Sequence, residues 1–322
     1  MQTLEELRAM IRTTTELQSV VRTMKALAMA GTRQSQLARE SLVAYTANVE
    51  QALQAVLRLQ RFDAGPSSLT SLLPSVSSTG DVGVILYGSS HGLCGPFNEQ
   101  IVTFTVEELR RLGIADQRCR MAVVGDRLST LLDGGPLPIE ARFSLPSSLE
   151  AASALLQELL PLIEGWRFPD STAGAMKAGP EWADMEHSST CVVRILLVYQ
   201  SYLAATTHQP TVRQLLPLNP SWLANLQWRE WESCGEPMSN QPLPGLFADI
   251  VQEYLHLSLF RAAVESLASE NAARLAAMHA AGEHIEERLY DLNAMHRQQR
   301  QNAITGELLD IVSGFEALRQ RE

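Results

Sequence analysis

Residues 252–318 read QEYLHLSLFRAAVESLASENAARLAAMHAAGEHIEERLYDLNAMHRQQRQNAITGELLDIVSGFEAL. The stretch contains no proline. Its apolar residues keep a helical beat through Phe260, Val264, Leu267, Leu275, Met278, Ile285, Leu289 and Leu292, then Ile304, Leu308, Ile311, Phe315 and Leu318. The steps are threes, fours and their sums, which predicts one continuous α-helix. At 1.5 Å per residue it would run roughly 100 Å, several times the width of a small domain. Such a helix has to protrude, and its apolar seam has to find a partner.

The other end of the chain supplies one. All 15 prolines lie between Pro66 and Pro244, so both ends lack the residue that breaks helices. From Leu4 a three-four spacing passes through Leu7, Ile11, Thr14, Gln18, Val21, Met24, Ala28, Gly31, Ser35, Ala38, Leu42, Tyr45, Val49, Ala52, Val56 and Leu59. This is a coiled-coil seam. In its middle third Ala28, Gly31, Ser35 and Ala38 are small, which lets two backbones approach closely at the expense of buried apolar area. Gly31 also lowers helix propensity by about 1 kcal/mol relative to Ala. A middle region that returns the chain to its starting side makes the pair antiparallel. The last helix is the longer, and at its tip Leu308, Leu309, Ile311, Val312, Phe315 and Leu318 spread round more of the circumference than one seam needs. An all-round apolar tip wants a sleeve of other protein.

Between the helices, residues 61–79 are rich in Gly, Pro, Ser and Thr and read as a linker. The run VGVILY over 82–87 then predicts a strand, 88–96 a glycine-rich turn, and 97–112 a helix. RMAVV over 120–124 and VRILLVY over 193–199 supply two more strands, with a helix over 149–163. Alternating strands and helices predict a mainly parallel sheet with helices on its faces. Residues 165–189 and 216–245 read as irregular, the second leading into the long helix. The expected fold is thus α/β: a long antiparallel coiled coil of N- and C-terminal helices plus a central Rossmann-like α/β domain. Its expected parts are 1–62, 80–215 and 246–322.

Composition narrows the function. With 322 residues, 45% hydrophobic and 19% charged, the chain can build a core. A net charge of −10 argues against a surface made to neutralise phosphates, so no nucleic-acid partner is expected. No run approaches the roughly 18 apolar residues of a membrane span, and the N-terminus lacks a signal-type apolar core. Cys94, Cys119, Cys191 and Cys234 are far apart and form no CxxC pair, so buried reduced thiols are expected in place of a disulfide framework or zinc site.

The turn Gly88-Ser-Ser-His-Gly-Leu-Cys-Gly95 stands where a phosphate loop would stand, after a strand and before a helix. It contains neither GxGxxG nor GxxxxGK[ST], and the only lysines of the chain are Lys25 and Lys177. Its glycines serve a tight turn. His91 and Cys94 could suggest a thiol nucleophile, but no third, orienting group can be named, and packing of Cys94 is favoured. His279, His284 and His296 are not spaced as helical metal ligands, and no HExxH occurs. Glu283, Glu286, Glu287, Arg288, Arg297 and Arg300 read as exposed faces that keep a rod soluble, or as contacts to surrounding subunits. Neither catalytic residues nor a cofactor or metal site are expected.

The ends of the chain carry a more specific signal. Ser269-Glu-Asn-Ala-Ala-Arg-Leu-Ala-Ala-Met278, followed by Arg300-Gln-Asn-Ala-Ile-Thr-Gly-Glu-Leu-Leu-Asp-Ile-Val-Ser-Gly-Phe-Glu-Ala-Leu318, resembles the C-terminal signature of the γ subunits of F-type ATP synthases. Gly92-Leu-Cys-Gly95, Pro210-Thr-Val-Arg-Gln-Leu-Leu-Pro217, and Met24-Lys25 with Arg33 are supporting matches. The resemblance covers essentially the whole chain.

It implies a central-stalk rotor. In that family the terminal helices penetrate the ring of α and β subunits, and the α/β domain joins ε and the membrane c-ring. Rotation of the asymmetric shaft couples ion flow to conformational cycling of the catalytic sites, while γ itself catalyses nothing. By resemblance Met24, Lys25, Arg33, Arg300, Gln301, Ile304, Thr305, Glu307, Leu308, Ile311 and Phe315 should face the α3β3 ring. The turn of Gly92, Leu93, Cys94 and Gly95 should belong to the foot. The chain would be peripheral, held by the complex at the cytoplasmic face of a bacterial plasma membrane or a cyanobacterial-type membrane.

The departures are equally specific. VRTMKALAMAGTRQSQ over 21–36 has lost several basic positions of the family's first helix, residues 165–189 look inserted, and the dithiol of redox-regulated plant-type members is missing. This divergence fits an alternative ATP synthase operon, for instance a sodium-translocating one. Two other readings fit the helix-domain-helix plan: an α/β enzyme with a coiled-coil arm that needs a ligand site in the foot, and a passive coiled-coil tether.

Overall fold

The computed structural model describes residues 3–62, 80–114, 118–135, 137–146, 149–167, 192–204, 207–231, 235 and 237–319. Residues 63–79 of the expected linker, nearly all of the expected insertion, Cys191 and Cys234 lie outside them, while Arg61 and Phe62, expected to open the linker, end the first helix. By their contacts the residues form two units, Met1–Met29 with Arg274–Glu322, and Ala30–Ala273. Two helices run through both: α1, Leu4–Phe62, and α6, Leu243–Arg319.

In the larger unit a five-stranded sheet is built from β1 (Asp81–Tyr87), β2 (Cys119–Val124), β3 (Ile139–Phe143), β4 (Val192–Ala204) and β5 (Thr207–Leu216). Their order is β3-β2-β1-β4-β5, with β1, β2, β3 and β4 parallel and β5 antiparallel to β4. Side chains alternate across the strands. Ile85, Tyr87, Ala122, Val124, Ile195, Leu197 and Tyr199 face α4 (Leu149–Arg167) and the stretch of α6 carrying Leu255, Leu259, Ala262 and Ala263. Val84, Leu86, Met121, Val123, Leu196 and Val198 face α2 (Phe97–Arg111) and α3 (Asp126–Leu132). Both faces are covered, which is why β1 reads as a continuous apolar run and not as an alternating one.

The sequence reading marks neither β3 nor α3, and three further elements depart from it. Thr207–Leu216 contains Pro210, which cannot donate to a ladder. The strand forms all the same because it is an edge, pairing only with β4 through contacts such as Gln200 with Pro210. The stretch expected to be irregular over 216–245 holds α5, Pro220–Trp228, capped by Asn219, whose Oδ1 accepts from the Ser221 amide at 2.9 Å. Gly165, Trp166 and Arg167 belong to α4. Trp166 is fully buried and donates through Nε1 to Glu140 at 3.1 Å, so its apolar ring and its N–H are both satisfied.

The α1 seam of this unit is also adjusted. Leu42, Val49 and Val56 face inward as the spacing requires. Tyr45 and Ala52, however, are exposed, and Thr46 and Leu53 take the inward positions. A straight helix drifts relative to a strict heptad. Here α5 also packs on α1, so Leu53 and Leu57 join Leu218, Leu223, Leu226, Phe247, Tyr254 and Leu257 in one cluster. At Gly31 an added Cβ would stand 2.7 Å from Asn271 Nδ2, so the amide end of the Asn271 side chain occupies the space that a larger residue would need.

In the smaller unit α1 and α6 pair antiparallel. Leu7 and Ala28 are buried, and Ile11, Thr14, Gln18, Val21 and Met24 are half-buried. They face a stripe that includes Met278, Ile285, Leu289 and Leu292. Beyond Gln299 the described side chains of α6 are exposed, Gly306 excepted.

Candidate functional site

The apolar end of α6 follows from the pairing. Arg8 Nε donates to His296 Nε2 at 3.3 Å, and Lys25 Nζ lies 3.1 Å from His279 Nδ1. In that register Leu4 falls opposite Arg300, and α6 continues alone. Ile304 is 48% exposed, Leu308 58%, Leu309 63%, Ile311 57% and Val312 54%. A helix that kept these residues for its own fold would bury them. Thr305 spends its hydroxyl on the Gln301 carbonyl at 2.9 Å, and Arg300, Gln301 and Glu307 are open to solvent. The side chain of Phe315 lies outside the described residues.

The other expected ring-facing residues do not join this patch. Met24 and Lys25 are half-buried in the seam beside His279, about twenty residues and about 30 Å along α6 from Arg300. Arg33 is exposed and belongs to the larger unit. Within the smaller unit Met24 and Lys25 are thus separate from the apolar end.

The turn after β1 is built by glycine conformations and hydrogen bonds. Gly95 has φ +58°, and Leu93 takes φ +68° although it is not glycine, with its side chain 58% exposed. Holding a branched residue there costs about 1–3 kcal/mol. Cys94 is buried against Phe97 and Ala273, and its thiol donates to the carbonyls of His91 and Gly92, both at 3.4 Å. Its burial against two apolar neighbours is the packing role expected of it. The His91 amide donates to buried Glu270 at 3.4 Å. Asn98 ties the turn to α2, accepting from the Ser89 amide at 3.0 Å and donating to Ser89 Oγ at 2.8 Å. A cleft of about 330 Å³ lies beside the turn, lined by Ser89, His91, Asn98, Glu99, Arg127 and Leu131 among others.

Gly125, which opens α3, has φ +123°, and a Cβ there would meet Ser89 O at 2.8 Å, so only glycine lets the two turns approach. No described helix is long and apolar enough to cross a membrane. Among the described residues no three His, Cys, Asp or Glu side chains could hold a metal ion.

Compared with known proteins, the chain matches a family profile described as ATP synthase over residues 3–318. The chain belongs to the ATP synthase γ-chain family. It is similar to the ATP synthase gamma chain of Thermosynechococcus vestitus, 27% identical over 347 residues that cover 99% of this chain and 100% of that one. The gamma chain of Chlorobaculum tepidum is 29% identical over 322 residues, with the same coverage. In fold it resembles a chain of the Euglena gracilis mitochondrial ATP synthase, with TM-score 0.59, 18% identity and coverage of 98% and 94%. A chain from the central stalk and c-ring of the Tetrahymena thermophila enzyme gives TM-score 0.51 at 20% identity, covering 81% and 99%. As a γ chain it is a non-catalytic subunit of the central stalk.

The sequence reading overlooked a cluster of side chains at the carboxyl end of β4. Gln200, Ser201 and Tyr202 bond to α1, to α6 and to the start of α2. The available signal was Glu265, Ser266, Ser269 and Glu270, four buried polar residues interleaved with the buried apolar Val264, Ala268, Ala272 and Ala273 of α6.

Proposed function

We propose that this γ chain couples ion translocation through a membrane c-ring to conformational cycling of an α3β3 ring. The end of α6 serves as the part that turns inside the ring. The observation that carries this reading is the run Ile304, Leu308, Leu309, Ile311 and Val312, large apolar side chains exposed on a helix that has left its partner. Only a surrounding surface of other chains gives them burial worth about 25 cal/mol per Å². Arg300, Gln301, Thr305 and Glu307 supply polar contacts on the same turns, Met24 and Lys25 of the smaller unit are further contacts to the ring, and Arg33 of the larger unit is another. Phe315 extends the apolar run in sequence.

The α/β domain acts as the foot, bearing on ε and the c-ring, with the Gly92, Leu93, Cys94 and Gly95 turn on its surface. The chain is peripheral to the membrane through these partners. In working terms 1–62 and 246–322 are the shaft and 80–215 the foot. The departures from the family's first helix support an alternative operon, with sodium as one candidate ion.

Co-expression tests the reading. With α and β subunits from the same source the chain should co-purify as a rotary ATPase at one copy per three αβ pairs. Deleting 304–322 should reduce coupled ion pumping more than ATP hydrolysis. Stable, fully coupled complexes formed without that segment would overturn the role given to it.

A further inference from the structure

A rotor has to pass torsion between its sheet and its helices, and apolar packing, being non-directional, resists sliding poorly. Directional bonds to fixed points on a rigid element do better. We infer that the carboxyl end of β4 is a torsional joint, with Ser201 gripping α6 and Tyr202 gripping α1, so that sheet and helices turn as one body. The inference rests on the rotor reading and names the residues that would carry it in the larger unit.

On the α6 side, Ser201 Oγ donates to Glu265 Oε2 at 2.9 Å, and the other oxygen of Glu265 accepts from Arg261 Nε at 2.8 Å. One turn further on, Ser269 Oγ donates to the Gln200 carbonyl at 2.8 Å. Residues 261, 265 and 269 are four apart and share one face of the helix. Gln200 in turn donates to the Phe97 carbonyl at 3.3 Å, tying the layer to the start of α2.

Tyr202 works on the other side. Its ring packs on Ala268 and Ala272 of α6, two small residues again four apart. Its hydroxyl accepts from Gln36 Nε2 of α1 at 2.5 Å, its carbonyl accepts from Arg39 at 3.4 Å, and the Arg39 guanidinium lies 5.3 Å from the ring centroid. Adjacent residues of one strand therefore hold both helices. That strand is itself fixed by β1 on one side and β5 on the other.

The layer is not arranged for greatest stability. The Glu265 side chain is 4% exposed and that of Arg261 35%, and burying such a pair gains less than apolar packing of the same volume. Gln200 Oε1 and Ser266 Oγ are buried without a hydrogen bond. What buried polar contacts supply in exchange is a single register, the best-attested use of such groups.

The test uses the assembled complex with the α3β3 ring held on a surface and a probe on the foot. Glu265→Met with Ser201→Ala replaces the polar grip by apolar packing. The expected result is a thermal midpoint equal to or above the parent's, an unchanged ATPase rate, fewer ions pumped per ATP, and a mean-square angular fluctuation of the probe widened by about a third, because one of the four hydrogen bonds described between β4 and the two helices is gone. Tyr202→Phe, which removes one hydroxyl and the Gln36 bond, should widen it in the same sense and serves if the double variant assembles poorly. Parent-like fluctuation and pumping ratio in either assembled variant would overturn the joint. A parent complex whose probe does not rotate at all would instead overturn the rotor reading.

Discussion

Lys25 of α1 and His279 of α6 meet with 3.1 Å between Nζ and Nδ1, and the same interval, seventeen residues, separates them from Arg8 and His296, which meet at 3.3 Å. Two contacts so placed fix the antiparallel register of the smaller unit. Cysteines introduced as Lys25→Cys with His279→Cys should be joined by a short bismaleimide. Lys25→Cys with His296→Cys, about 25 Å out of register, should not. Gel mobility reads the difference. Because both helices belong to the same rotating body, the joined pair should keep coupled activity.

The exposed end of α6 separates folding from assembly. Ile304→Ser, Leu308→Ser and Ile311→Ser should each change the chain's own denaturation midpoint by no more than about 0.5 kcal/mol, as surface substitutions do. If these side chains are central contacts of the ring interface, each should weaken association with α and β by about 2 kcal/mol, read by titration of the reconstituted complex.

Gly83 of β1 lies under the Trp166 ring, and a Cβ there would stand 2.6 Å from Trp166 Cε3 and Cζ3. The indole cannot easily yield. Its Nε1 is held by Glu140, which Arg120 clasps at 2.7 and 2.8 Å. Gly83→Ala should therefore destabilise by about 1–3 kcal/mol. Gly31→Ala should come out much closer to neutral, since the obstructing group is the end of the Asn271 side chain and Ala gains about 1 kcal/mol in helix propensity. Urea denaturation of the two variants gives the comparison.

His208 provides a pH dependence of known sign. Its ring packs on Phe97 at 5.2 Å between centroids, neither ring nitrogen has a hydrogen bond, and burial pushes its pKa below the ordinary histidine value. The folded protein thus prefers the neutral ring. Its contribution is fully present above the unfolded-state pKa of about 6.5 and is lost as pH falls through the lower folded value. Stability should decline on acidification from about pH 7 to pH 5, and His208→Phe should make that decline shallower in thermal melts.

Much of the fold could be read from residue spacing because the governing forces are local. Both long helices announce themselves by threes and fours without proline, and VGVILY and VRILLVY are strands because both of their faces are covered. What escaped was set at longer range. Thr207–Leu216 looks unlike a strand until β4 offers an edge where Pro210 is harmless. Ile139–Phe143, the opposite edge, is only half-buried and has no apolar run to betray it. The helix Pro220–Trp228 was legible and passed over, since Asn219 before Pro220 is a start signal. At the site, Ile304, Leu308 and Ile311 could be picked out by their excess over one seam. The grip of Ser201 on Glu265 could not, because the two residues are 64 apart in sequence and only the packed fold makes them neighbours.

The five open side chains between Ile304 and Val312 also bear on the life of the chain before assembly. A newly made copy waiting for its ring carries them uncovered, a greasy end that will stick to whatever else is unfolded nearby. Overproduced without its ring, the protein should aggregate more readily as its concentration rises, and its supply in the cell has to keep step with that of its sleeve.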